Sequence, residues 1–259
     1  MTLRHLQERN TLSVEGDATS SSIMGMTHGD GSCAPKEEGS MKKIMMVIVS
    51  AMVLAGCREG SEEVLVQKES TADLGEVAVD FASTDVKVTV GEGDEVETHM
   101  TVYDGGPGVS LDRNGDRLTI KVDSNAIRLV NLKKKPSLEI RIPESFTGTL
   151  VLDGSSGNVS GEELGRHRIE VGTSSGDVDL HVTDLQAPVS VKTRSGKASV
   201  RFEEESPNLK LDVSTNSGSQ SIGVNLDGKS SSKKGTSGVS GSGSHEVKIE
   251  TRSGGVRVE

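Results

Sequence analysis

Residues 169–182 have the sequence IEVGTSSGDVDLHV, and this stretch decides the fold. Before its Ser-Gly pair the apolar residues stand at odd positions, Ile169 and Val171. After the pair they stand at even positions, Val178 and Leu180. Alternation with a period of two places one face of a strand inside and the other outside. The step of seven residues from Val171 to Val178 reverses the inward parity, so the Ser-Gly pair must form a corner between two strands.

The unit recurs along the second half of the chain, and the step of seven recurs with it. A period near 20 residues with a corner in each unit predicts a β-solenoid, with each coil stacked about 4.8 Å above the last. We expect the corner glycines to supply a positive φ, and the neighbouring Ser hydroxyls to bond the local backbone. A flat antiparallel sandwich is the alternative. The corner glycines are Gly157, Gly176, Gly196, Gly218 and Gly254, at spacings of 19, 20, 22 and 36, and an insertion at 229–244 accounts for the last spacing.

The first half also alternates, as in Val77-x-Val79-x-Phe81. The sequence Asp112-Arg113-Asn114-Gly115-Asp116 joins two alternating runs, and Asn-Gly predicts an antiparallel hairpin there. The same residues begin like a calcium loop, but the Gly is fourth rather than sixth. Four of the six histidines of the chain are scattered without metal-ligand spacing, and we expect them on the surface: His99, His167, His181 and His245.

Composition limits the functions that the chain can serve. It has 259 residues, no Trp, one Tyr and three Phe, so its core must consist of small branched side chains. The net charge of −10 argues against a nucleic-acid partner held by a basic surface. Two cysteines cannot build a disulfide framework. We expect no metal site and no cofactor.

Residues 41–57 have the order of an export signal. Lys42 and Lys43 are followed by an uncharged apolar stretch, 44–54, which is too short to span a bilayer. Leu54-Ala55-Gly56-Cys57 resembles the bacterial lipobox. The resemblance implies cleavage between Gly56 and Cys57 and a diacylglyceryl group on the Cys57 thiol.

These patterns divide the chain into four segments. Residues 1–40 are polar and are expected to be disordered, or untranslated if synthesis starts at Met41. The lipoprotein signal peptide is 41–56, and 57–73 is a polar tether containing a short strand at Val64–Val66. The β-helix repeat domain is 74–259, which makes the protein all-β with a single folded domain.

The repeat domain resembles a known family of bacterial envelope proteins. The sequence PSLEIRIP at 136–143, followed by LVL at 150–152 and SGNV at 156–159, is similar to the bacterial "putative adhesin" β-helix family, and the Thr-x-Ser-Gly units are too. The resemblance implies an envelope-associated β-helical domain without established catalytic residues.

We therefore expect a non-catalytic, lipid-anchored cell-envelope protein that faces outside the cytoplasm and serves surface binding, adhesion or scaffolding. Its expected partners are the membrane, through Cys57, and a cell-wall polymer or an envelope protein. The basic cluster Lys133-Lys134-Lys135 could contact anionic lipid or wall polymer. One alternative is a carbohydrate-active β-helix enzyme, although four aromatic residues are few for sugar platforms. An envelope-stress accessory protein is the other.

The lipobox gives the first prediction. Cys57→Ala should leave an uncleaved precursor that takes up no labelled palmitate, because the thiol is the acceptor of the lipid. Cys33→Ala is the matched control and should be processed and labelled like the wild type. A wild-type protein that incorporates no label and is wholly soluble would contradict the lipoprotein hypothesis.

Overall fold

The computed structural model describes residues 62–103, 106, 108–123 and 135–259. Within these ranges the protein is all-β, and no helix there is long and apolar enough to cross a membrane. The lipobox, with Gly56 and Cys57, lies outside the described residues. The strands are β1 Glu62–Ser70, β2 Glu76–Ala82, β3 Asp85–Gly91, β4 Glu95–Tyr103, β5 Val109–Asn114, β6 Arg117–Val122, β7 Ser137–Pro143, β8 Thr149–Gly154, β9 Val159–Leu164, β10 Arg168–Thr173, β11 Val178–Val182, β12 Val189–Thr193, β13 Ala198–Phe202, β14 Leu209–Thr215, β15 Gln220–Ile222, β16 Asp227–Ser231, β17 Gly235–Ser240, β18 His245–Thr251 and β19 Val256–Val258.

The strands form two mixed sheets with one shared core. Sheet A has the order β1-β4-β7-β3-β9-β11-β13-β19-β15, and sheet B has the order β16-β17-β14-β18-β12-β10-β8-β2-β6-β5. The alternating apolar residues point between the sheets, as predicted: Leu150 and Leu152 of β8 are fully buried, and Val159 of β9 is 1% exposed. Small branched side chains fill this core, which explains why the chain needs so few aromatic residues.

Each Ser-Gly unit turns the chain from sheet B to sheet A, and we call the two strands with their corner a coil. Val171 on β10 and Val178 on β11 are both buried, although they belong to different sheets. The predicted corner is therefore confirmed. Successive coils pair in parallel and in register, for example Ile169 with Val189. Parallel pairing excludes the antiparallel sandwich for the coils of 149–202.

The corner glycines are required for a reason that differs from the prediction. None of the five has a positive φ, so that expectation was wrong. Instead, each lies against the backbone of the next coil. A Cβ on Gly176 would lie 1.8 Å from the carbonyl oxygen of Gly157, and a Cβ on Gly196 would lie 1.8 Å from that of Gly176. Only a residue without a side chain permits this approach.

A buried threonine, rather than the serine, closes four of the five corners. The Thr173 Oγ1 accepts a hydrogen bond from the Gly176 N–H at 3.2 Å, and the Thr193 Oγ1 accepts one from the Gly196 N–H at 3.0 Å. Thr215 and Thr251 repeat the arrangement. The Ser195 and Ser253 side chains at the same corners are exposed. The hydroxyl that satisfies the buried corner amide therefore comes from the first residue of the Thr-x-Ser-Gly unit.

The coils do not stack in the order of the sequence, which corrects the expected regular stacking. The last coil, β18–β19, lies between β12–β13 and β14–β15. The glycine stack follows the same order: a Cβ on Gly254 would meet the carbonyl of Gly196, and one on Gly218 would meet that of Gly254. The stretch 229–244 is therefore more than an insertion, since β16 and β17 form an antiparallel hairpin on the outer side of β14 and lead the chain back.

The N-terminal end contains a second displaced coil. Strands β2 and β3 lie between the β6–β7 pair and the β8–β9 coil in the two sheets. The antiparallel hairpin predicted at Asn114-Gly115 is confirmed, since β5 and β6 pair from Asn114 with Arg117. The short strand expected at Val64–Val66 extends over all of Glu62–Ser70, which pairs antiparallel with β4.

His167 is buried, in contrast to the expected surface position. It is 1% exposed, its ring centroid lies 5.6 Å from that of Phe146, and its Nδ1 has no hydrogen-bond partner among the described residues. Burial lowers the pKa of His167, a hydrogen bond with the Phe146 backbone opposes this shift, and the nearby Arg166 charge adds to it. The neutral imidazole is therefore the form that the fold accommodates.

The displaced last coil predicts which engineered cysteines will meet. In a background with Cys33→Ser and Cys57→Ser, Lys192→Cys with Glu250→Cys should form a disulfide, because these residues are register partners on β12 and β18. Lys192→Cys with Ser214→Cys should not, because β18 separates them and puts their Cα atoms roughly 9.6 Å apart. Non-reducing gels measure both, and an efficient 192–214 bond would show stacking in sequence order.

The buried His167 predicts sensitivity to acid. A folded pKa below the unfolded value of about 6.5 means that the unfolded chain binds the proton more tightly. The free energy of unfolding should therefore be highest above pH 6.5. It should decrease as the pH is lowered below 6.5, by up to about 1.4 kcal/mol per pH unit. Urea titrations from pH 7.5 to pH 5 measure this fall. His167→Gln should reduce it, with His181→Gln on β11 as the matched substitution control, and an unaltered slope in His167→Gln would contradict the assignment.

Candidate functional site

The residues predicted from sequence to act in function are only partly described. Gly56, Cys57, Lys133 and Lys134 lie outside the described residues, and Lys135 is exposed at the start of the segment leading to β7. The Ser-Gly serines of the second half do come together, because successive corners stack. The residues that flank the corner threonines, rather than these serines, form a surface that the sequence pattern alone does not identify.

That surface is an open groove of about 770 Å³ on the outer side of sheet B, where its strands turn into the corners. Two rows of residues line it. The outward residues just before the corner threonines include Gly172, Lys192 and Glu250, and the corner residues just after them include Arg194 and Arg252. The groove crosses the strands from β8 to the β16–β17 hairpin, so it runs along the direction in which the coils stack.

The groove is positively charged although the chain is acidic. Its charged lining residues are the cations Lys192, Arg194, Lys234 and Arg252 and the anions Asp153 and Glu250. Glu250 is already neutralised within the protein, because the Lys248 Nζ lies 2.9 Å from its carboxylate and the Lys192 Nζ lies 3.9 Å away. The hydrogen bond from Lys248 lowers the pKa of Glu250, so this carboxylate stays ionised and paired.

Three cations of the groove have no such partner. Arg194, Lys234 and Arg252 make no ion pair with any residue in the described part of the chain. Both arginine side chains are exposed. Their charges are therefore available to a ligand.

The displaced last coil is what brings these cations together. The Arg252 N–H donates to the Thr193 carbonyl at 3.3 Å, and the Ser253 N–H donates to the Arg194 carbonyl at 2.9 Å, so the two arginines occupy adjacent coils. Lys234 is held beside the next coil, where its carbonyl accepts from the Thr215 N–H at 2.8 Å. In the sequence, Arg194 and Arg252 are far apart, and an expectation of stacking in chain order could not place them side by side.

One sequence signal does mark the pair. The tetrapeptide Thr-Arg-Ser-Gly occurs twice, at 193–196 and 251–254, whereas the other corners have Ser155, Ser174 or Asn216 at the position of the arginine. Because these two corners have the same sequence, a shared role is indicated. Their position on adjacent coils agrees with such a role, because it places the two arginines side by side.

The groove has the chemistry of a binding surface. Among the described residues that line it there is no His or Cys, and no group of three metal-ligating side chains occurs in the described ranges. Hydroxyl and amide groups accompany the cations, such as those of Ser174, Ser214 and Asn216. Guanidinium and hydroxyl donors together favour an oxygen-rich, negatively charged ligand.

Comparison with solved structures shows that this fold is already known. A "putative cell adhesion protein" from Clostridium sporogenes is 16% identical, with a TM-score of 0.58, over 77% of this chain and 99% of its own. A "putative adhesin" from Parabacteroides merdae is 12% identical with a TM-score of 0.34, over 75% of this chain and 80% of its own. A "putative adhesin" from Bacteroides fragilis is 12% identical with a TM-score of 0.23, over 77% and 98%.

The sequence comparisons are more restricted. No curated protein matches the chain. The model of the family described as Toastrack DUF4097 matches residues 137–259, which begin at β7 and include both Thr-Arg-Ser-Gly corners and the whole groove. This part of the chain is similar to that family.

Proposed function

We propose that this protein is a non-catalytic, lipid-anchored protein of the cell envelope, whose β-solenoid domain binds a partner outside the cytoplasm. The observation that carries the proposal is the open groove on sheet B, with its unpaired cations and hydroxyl-bearing side chains. The partner that suits it best is a cell-wall polymer. The adhesion named for the similar solved structures agrees with binding, and the groove supplies a place for it.

The arrangement of carboxylates argues against a carbohydrate-active enzyme at this groove. Asp153 and Glu250 are on the same level of sheet B, but β10 and β12 lie between their strands. Three strand spacings separate their backbones by about 14 Å, whereas the two carboxyl groups of a glycosidase lie about 5–9.5 Å apart. Glu250 is also held by Lys248. These two groups are therefore poorly placed as an acid and base.

The lipid on Cys57 has a physical task in this proposal. Residues 57–259 carry 24 basic and 33 acidic residues, a net charge of −9, so an anionic membrane surface repels the domain. One acyl chain gives only marginal membrane binding, whereas two hold a protein stably. A diacylglyceryl group supplies two chains. The anchor would then hold the domain at the membrane and leave the groove for the wall.

The test is retention on purified peptidoglycan that keeps its attached polymers, combined with an assay for released reducing sugar. The protein should sediment with the wall material, and no sugar should appear, because we assign binding without catalysis. Bovine serum albumin, also acidic, is the control for nonspecific retention. Sugar release above the background would favour the enzyme, and the absence of retention would contradict the proposed binding function.

A further inference from the structure

The groove offers its cations as a row. Arg194 and Arg252 stand on adjacent coils, and Lys234 lies beside the coil that follows them. Because neighbouring strands are about 4.8 Å apart, the row of cations extends over roughly 10–15 Å along the stacking direction. A single small anion would engage one or two of these charges. A chain with a negative charge on each repeat would engage all three.

The two arginines repel each other in the free protein. They follow directly after the register partners Thr193 and Thr251, and no carboxylate of the described residues is paired with either guanidinium. Like charges on directly opposed positions of neighbouring strands are destabilising. The corners with Ser155 and Ser174 show that the fold does not need arginine at this position. A bound anion would remove the repulsion. Ligand binding therefore explains why both corners have an arginine, whereas the geometry of the corner does not explain it.

The rest of the surface would confine an anionic ligand to the groove. The whole chain has a net charge of −10, while the lining has four cations against two anions, one of them already paired. A polyanion is therefore attracted at this groove and repelled by the acidic remainder of the protein. Selectivity for the groove follows from this difference in charge.

The other lining groups favour a sugar-based polymer over a nucleic acid. Proteins that bind single-stranded nucleic acid stack the bases on aromatic side chains. The lining has no aromatic residue. It has instead the hydroxyl and amide groups of Ser174, Ser214 and Asn216, which can exchange hydrogen bonds with sugar or polyol hydroxyls.

From these observations we infer that the groove binds a linear anionic glycopolymer, laid across the coils with successive negative charges on Arg194, Arg252 and Lys234. The inference rests on the proposed binding function and deepens it by naming the ligand class. The shared chemistry is a repeated anionic group, which phosphate-bearing and carboxylate-bearing polymers both provide. Ionic contacts at an open groove are screened by salt, so the affinity should fall as ionic strength rises.

The experiment compares polymer binding by the wild type and by Arg194→Ser/Arg252→Ser. Serine is chosen because neighbouring coils have it at this corner position. The probes are a poly(glycerol phosphate) teichoic acid, polygalacturonate and neutral dextran, measured by calorimetry at about 50 mM and 500 mM salt. The wild type should bind at least one anionic probe at low salt and should not bind dextran. Each arginine lost should weaken binding about tenfold, as expected for a hydrogen bond to a charged group.

The matched control is Arg201→Ser/Arg257→Ser. These arginines lie on β13 and β19 of the same two coils, but on sheet A, and they pair with Asp179 and Glu259. This variant has the same net charge as the groove variant and should bind like the wild type. The ligand-free groove variant should unfold at the same denaturant concentration as the wild type, or at a higher one, because a repulsion is removed.

The outcomes separate this inference from the proposed function. If the wild type is retained on wall material but the groove variant binds the anionic probes equally well, the groove assignment is wrong and the proposed function stands. A DNA oligomer bound more tightly than either polymer would overturn the ligand class. A groove variant that loses ligand-free stability would show that the arginines are structural. If the protein binds neither wall material nor any probe, both proposals fail.

Discussion

The close contact between corner backbones is the constraint on which the rest of the structure depends. At four of the five corners, the Cα of a glycine lies against the carbonyl of the glycine in the neighbouring coil, and Gly157 lies against that of Thr84, each at a distance that leaves no room for a methyl group. This contact brings the coils to strand spacing and so allows the ladders of both sheets to form. It also buries the corner amide, which then needs a partner. At the corners of Gly176, Gly196, Gly218 and Gly254, the threonine hydroxyl three residues earlier provides it.

The narrow core follows from the same geometry. Two sheets that meet at tight corners leave space for small branched side chains, and the buried residues of the coils are mainly Val, Leu and Ile. Where a larger side chain packs in the core, the adjacent corner has a smaller residue. Gly154 stands where later coils have threonine, because a Cβ there would lie 2.2 Å from the ring of Phe81. Local sequence and packing are thus matched coil by coil.

The displaced last coil connects the fold to the proposed binding. Each coil offers similar strand edges to the neighbouring coils on its two sides. The β18–β19 coil can therefore fit between two coils that precede it in the chain. The hairpin of β16 and β17 makes this connection and also brings Lys234 to the groove. The row of cations is a product of this order. Coils stacked in chain order would separate Arg194 from Arg252 by the β14–β15 coil, whose corner has an asparagine.

The sequence by itself determined the elements of this protein. Alternation and the step of seven identified the strands, their inward faces and the corners, because these depend on neighbours in the chain. Asn114-Gly115 likewise determined its hairpin. Three features were decided only by the tertiary structure: the reason for the corner glycines, the burial of His167 and the groove. Each of these features depends on which coils are neighbours in the stack. The strand edges of similar coils are nearly interchangeable, so the local sequence does not specify the neighbours. Local pattern therefore specifies a coil, whereas the hairpins and long connections between coils decide its place in the stack.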